Sequence, residues 1–240
     1  MRVQLNDVSM GARGVALPAT SLSFTSGRAV LAVAETEQRP SVLGLIAAGR
    51  MRPATGTVSI DDLGSTRTSR HGDRWQLRDR VALVDAVDVN DPAPNVTVLV
   101  VTAEELMFAG VAAGPAAAMR WLRGQGLEAS ARLPIGDLDP GARVRLLLEL
   151  AALRTTSCGE LVEGIVLVSP DRHGGDPFEW WALAEEFAAR GHAVLVVAGA
   201  ASAAVLAERA PRAETDFPIA ENADAAGPDV TADRAEEASR

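Results

Sequence analysis

The chain has 240 residues, a formal net charge of −9 and a single cysteine, Cys158. That length supports one sizeable core without staples, and one cysteine excludes an internal disulfide and fits a reducing compartment. Nucleic acid is a poor partner for such an acidic chain, since phosphate binding needs clustered cations.

All 23 basic residues are arginine, and neither lysine nor tyrosine occurs. The segment Met1 to Val8 alternates like a strand and has no signal-type apolar stretch, and no apolar run reaches the roughly 18–20 residues of a membrane span.

From Met1 to about Leu63 the pattern predicts a meander of strands. Residues 3–8 alternate, as do residues 16–24, which lead into a Thr25-Ser26-Gly27 turn. Residues 28–34 form a nearly continuous apolar run, the mark of a buried strand. A helix is predicted over Ser41–Gly49 with Ser41 as N-cap, then a turn and strand over Pro53–Asp61. Residues 64–80 are polar and rich in Gly, Ser and Arg, which predicts a surface excursion.

Val81–Val84 is a short apolar strand, and helical spacing runs from Val101 to about Gln125. A second helix is predicted from about Pro140 to Arg154, with Asp139 as N-cap and Pro140 in its first position. Gly164–Val168 is another buried strand, Phe178–Arg190 a helix ended by Gly191, and Ala193–Val197 a third buried strand. Alternation of this kind implies a parallel α/β sheet. Residues 1–209 form the folded unit, with a helical insert at about 97–155, and residues 210–240 read as a flexible acidic tail.

The order of these elements, with the turn Arg52-Pro53-Ala54-Thr55-Gly56-Thr57-Val58-Ser59-Ile60-Asp61, resembles the nucleotide-binding domain of ABC transporters. The resemblance implies an α/β, P-loop NTPase-like core with an antiparallel β-layer and a helical insert. It also sets the register of each motif.

A working P-loop needs two glycines, a lysine and a hydroxyl. In register stand Ala34, Glu35, Thr36, Glu37, Gln38, Arg39, Pro40 and Ser41. The glycines are missing, the lysine position is Pro40, which has no charge and no N–H, and only Ser41 matches.

At the Walker B position, where the family carries a metal aspartate and a catalytic glutamate, Ser169 and Pro170 follow the strand. Asp176 marks the end of the next loop, and Asp171 is expected in a surface turn. The signature motif reads Leu138-Asp139-Pro140-Gly141-Ala142, with a carboxylate where a serine would meet phosphate. The Q-loop glutamine falls near Ala86 and the switch histidine on Gly199, and no aromatic stands near Met10 to Arg13 for adenine.

His71, His173 and His192 read as surface or packing residues, and Cys158 has no catalytic partner in sequence. Of Trp180 and Trp181, one is expected in the core and the other facing outward, where it could serve an interface.

The resemblance with these losses implies a pseudo-ATPase subunit with no catalytic residue, cofactor or metal. It would pair, as a homo- or heterodimer, with another nucleotide-binding domain or dock under a permease-like integral membrane protein. That would place it in the cytoplasm, peripheral on the inner face of the membrane. Docking candidates are Ala86, Val87, Asp88, Val98, Glu104, Glu105 and Met107. Two alternatives are an ABC subunit with residual ATP binding, and a soluble regulator whose Glu35, Glu37 and Arg39 line a pocket of new polarity.

Overall fold

A computed structural model describes residues 1–12, 16–35, 38–62, 73–209 and 219–220. Strands β1 (Arg2–Met10), β2 (Leu17–Thr25) and β4 (Thr55–Asp61) form an antiparallel sheet in the order β2-β1-β4. Strands β3 (Ala29–Val33), β5 (Val81–Val84), β6 (Gly164–Val168), β7 (Ala193–Ala198) and β8 (Ile219–Ala220) form the second sheet in the order β5-β6-β7-β3-β8. All its pairings are parallel.

The helices are α1 (Gln38–Ala47), α2 (Asp73–Arg80), α3 (Val98–Phe108), α4 (Pro115–Gly124), α5 (Pro140–Ala152), α6 (Pro177–Ala189) and α7 (Ala200–Arg209).

Period-2 side-chain alternation divides the parallel strands between two cores. Leu31, Val84, Ile165, Leu167, Val194 and Val196 join residues of α3 to α7 on one face. Val30, Leu83, Val166, Val168, Leu195 and Val197 meet α1, α2 and the antiparallel layer on the other. Burial on both faces explains why these strands read as unbroken apolar runs.

Helix α1 lies hard against this sheet, because a Cβ on Gly44 would come within 2.6 Å of Val168 Cγ2 and 3.2 Å of Leu83 Cδ1. Gly56, in the turn that carries the strongest sequence resemblance, has φ +77°, and a Cβ there would collide with the backbone oxygens of Asn6 and Asp7.

Several sequence expectations change. The helical spacing from Val101 to Gln125 resolves into α3 and α4, because Gly110 at φ +72° turns the chain after α3 and Gly114-Pro115 starts a new helix. Part of the expected excursion at 64–80 is helix α2, while 63–72 lie outside the described residues. Helix α7 has no sequence signal beyond small residues that suit a helix.

Within the expected tail, Ile219 and Ala220 pair with Leu31 and Ala32, and the rest of 210–240 lies outside the described residues. Both tryptophans are buried, Trp180 at 2% and Trp181 at 7% exposure, so neither faces outward. Trp181 keeps its polar end satisfied by donating to Glu185 Oε1 at 3.0 Å.

Candidate functional site at the strand ends

In a parallel sheet, ligand sites form beyond the carboxyl ends of the strands. Here the register brings Ala34, Asp85, Ser169 and Gly199, the residues that follow β3, β5, β6 and β7, to that edge.

Asp85 is its centre. It ends β5 at φ +58°, its side chain is 0% exposed, and three side chains converge on it. Arg143 Nη2 and Arg172 Nη2 donate to Oδ1 at 2.8 and 2.9 Å, and His173 Nε2 lies 3.0 Å from Oδ2. Arg172 also donates to the Asp85 carbonyl at 2.8 Å. Burial alone would raise the Asp85 pKa, but the hydrogen bond shared with His173 and the charges of Arg143 and Arg172 outweigh it and hold the carboxyl below the usual range.

Sequence reasoning missed this cluster. His173, read as an isolated surface or packing residue, is a partner of a buried carboxylate. Arg143 lies one turn before Leu147 on the buried stripe of α5 and is itself buried. A cation on an apolar stripe calls for a buried anion, and Asp85 closing an apolar strand was the available signal.

Asp171 lies in a turn, as expected, but is half-buried there. It stands in a short 3-10 turn, Pro170–His173, where its Oδ2 accepts from the Gly199 amide at 2.8 Å and the Ser202 hydroxyl at 3.1 Å. The turn folds back because Ser169 takes a left-handed backbone at φ +48°, directing Asp171 across the end of β7 instead of toward solvent. The switch position Gly199 is therefore held by the chain's own carboxylate.

At the β3–α1 connection, Ala34 N donates to Ala198 O at 2.9 Å, and Glu35 is exposed. Thr36 and Glu37 lie outside the described residues. Ser41 is not an N-cap, because α1 begins at Gln38. A proline in the first turn is tolerated there, since those N–H groups have no intrahelical acceptor. The Ser41 hydroxyl instead donates to Val87 O at 3.2 Å. Arg39 Nε is buried without a hydrogen-bond partner among the described residues.

Ser169 and Pro170 sit at the end of β6, both buried, with Ser169 N bonded to Val197 O at 2.7 Å. Asp176 caps α6 by accepting from Phe178 N. At the signature segment, Leu138 is buried and Asp139 caps α5 by accepting from Ala142 N at 3.1 Å, with Pro140 and Gly141 in the first turn. Among the described residues no group of three or more His, Cys, Asp or Glu side chains converges to hold a metal ion.

The docking candidates divide. Ala86 and Val98 are both fully buried and cannot touch a partner. Ala86 goes inside because its amide and carbonyl organise the following turn with Asn90, and Val98 because it fills the core beneath α3. Val87 is half-buried, and Glu105 pairs with Arg154 at 2.7 Å. Asp88, Glu104 and Met107 are exposed, as are Val89, Val100 and Phe108 beside them in sequence.

No protein-family model matches the chain, and no curated protein matches it. Solved structures do. A dimeric bacterial ABC transporter cassette superposes with a TM-score of 0.58 at 19% identity, covering 85% of this chain and 90% of its own. A putative ABC transporter ATP-binding protein from Pyrococcus furiosus gives 0.55 at 12% identity, over 83% and 92%. A nucleotide-free ATP-binding cassette from an ABC transporter gives 0.54 at 16%, over 83% and 82%. The fold is thus that of the P-loop NTPase class and, within it, of the ABC-transporter ATP-binding cassette. Among the described residues no helix is long and apolar enough to cross a membrane.

Proposed function

We propose that this chain is a non-hydrolysing, cassette-shaped subunit. It would work on the cytoplasmic face of a cell membrane by assembling with an integral membrane protein of permease type, with a second nucleotide-binding domain, or with both.

The observation that carries this reading is that the strand-end edge is occupied by the chain's own bonds. The Gly199 amide is taken by Asp171, the Ser41 hydroxyl by Val87 O, and the guanidiniums of Arg143 and Arg172 by Asp85. The donor set does not suit a magnesium triphosphate. Pro40 brings neither charge nor N–H, Ser169 is no metal-binding carboxylate, and Asp139 and Asp171 would repel phosphate. No catalytic step is assigned to these residues.

What remains is a frame with exposed apolar side chains on α3. Val100 and Met107 are seven residues apart, so they fall on one face, and Glu104 lies between them. A half-polar, half-apolar strip of this kind suits a short helix or loop of a membrane partner.

The test is recovery of the tagged full chain from detergent-solubilised membranes. The expected result is an integral membrane companion that Met107→Arg weakens, with no ATP turnover by the purified chain alone. A clean monomer with no companion, or ATP turnover by the chain alone, would overturn the reading.

A further inference from the structure

The opposite, N-terminal edge of the parallel sheet carries a different arrangement. A cavity of about 410 Å³ opens beside the first residues of β5, lined by Arg50, Arg78 and Arg154 together with Val81, Phe108 and Thr155. A guanidinium has five N–H donors. Arg50 uses Nη1 on the carbonyls of Ala48 and Val81, and Arg154 uses Nη2 on Glu105. Arg154 Nε is buried and has no partner among the described residues.

One carbonyl just after α1 and one at the start of β5 account for Arg50 Nη1 and leave its other donors. Asp79, the acid on the cavity wall, is turned to Ser157, accepting from its amide at 2.8 Å and its hydroxyl at 2.9 Å. Three cations therefore share the cavity with two carboxylates, Asp79, whose oxygens accept from Ser157, and Glu105, which pairs with Arg154 alone. Their mutual repulsion is visible at Arg50, whose pKa is pushed down to about 10 by burial and by the charges of Arg154 and Arg78. A cavity with surplus like charge and unused donors is stabilised by an anion.

We propose that this cavity binds the phosphate group of a small phosphorylated molecule through Arg50, Arg78 and Arg154, with an apolar or aromatic part of that molecule against Phe108. The guanidinium fork fits phosphate oxygens in bidentate geometry. Phe108 is 62% exposed, a large apolar surface with a use if a ligand covers it. The volume is that of a small-ligand site. The assignment does not depend on the fate of the strand-end edge.

Inorganic phosphate and phenyl phosphate, titrated calorimetrically into the full chain at low ionic strength, test it. Phosphate is expected to bind with a Kd of about 1 mM or tighter, and phenyl phosphate several-fold tighter. Arg78→Ala, at an exposed position, is expected to weaken both at least about tenfold while the melting temperature holds. Phe108→Ala should remove only the advantage of phenyl phosphate. Glu105→Gln, which withdraws the competing carboxylate, should tighten phosphate a few-fold. Absence of binding up to about 10 mM phosphate, or equal affinity in the wild type and Arg78→Ala, would overturn the proposal.

Discussion

The two edges of the parallel sheet handle arginine in opposite ways. At the carboxyl-terminal edge a single buried carboxylate, Asp85, accepts from Arg143 and Arg172 and lies against His173, and Asp171 closes over Gly199. At the amino-terminal edge Arg50, Arg78 and Arg154 share a cavity in which one carboxylate engages one of them. The first edge turns Arg143 and Arg172 onto its own carboxylate, and among the described residues the donors it leaves without a partner are Arg39 Nε and Arg143 Nε. The second retains surplus charge and open donors. In an ATP-binding cassette fold the carboxyl-terminal edge is where a polyphosphate would be expected, so the difference separates the shape of the fold from the place where this chain can meet an anion.

The largest expected effect breaks the closed edge. Asp85→Ala leaves Arg143 as a buried cation without its carboxylate and should cost about 3–5 kcal/mol in urea unfolding. Asp85→Asn keeps an acceptor and tolerates the positive φ, so its loss should be smaller. The same carboxylate sets a pH dependence. Its folded pKa lies below the unfolded value, so its contribution is fully present above about pH 4–5 and is lost as pH falls through the depressed folded value. Acid unfolding followed by circular dichroism should show a shallower decline for Asp85→Asn than for the wild type over that range.

The next effect tests the frame on which both edges are built. Gly44→Ala should cost about 1–3 kcal/mol through overpacking of α1 on Val168 and Leu83, read as a fall in urea midpoint at unchanged slope.

Smaller still is Asp171→Ala, which frees the Gly199 amide and the Ser202 hydroxyl and should cost about 1–2 kcal/mol. It sharpens the comparison as well. If Asp171 is what closes the edge at Gly199, amide exchange at Gly199 should accelerate in this variant while the β6 amides stay protected. The smallest is Asp139→Ala, an N-cap loss of about 1 kcal/mol, seen as a small drop in melting temperature.

Much of the frame was legible in the sequence. The doubly buried strands β3, β6 and β7 announced themselves as apolar runs because both faces of each meet a core. Asp139 and Pro140 marked the start of α5 because capping is a local event. Elements set by a break were harder to read. The division of α3 from α4 turns on Gly110 and Gly114 within an otherwise continuous helical pattern.

The Asp85 cluster was illegible for a different reason. Its members come from positions 85, 143, 172 and 173, and nothing local in sequence links a strand end to a helix stripe and a 3-10 turn. The arginine cavity likewise draws on segments around residues 50, 78 and 154, which meet only once the helices are packed.

We propose that the carboxyl-terminal edge holds no nucleotide. Calorimetric titration of ATP with magnesium into the Arg78→Ala chain tests it most directly, since that variant removes the phosphate affinity proposed for the other edge. The account predicts no magnesium-dependent binding tighter than a Kd of about 100 μM. Tighter binding that requires magnesium, and that Ser41→Ala abolishes, would contradict it.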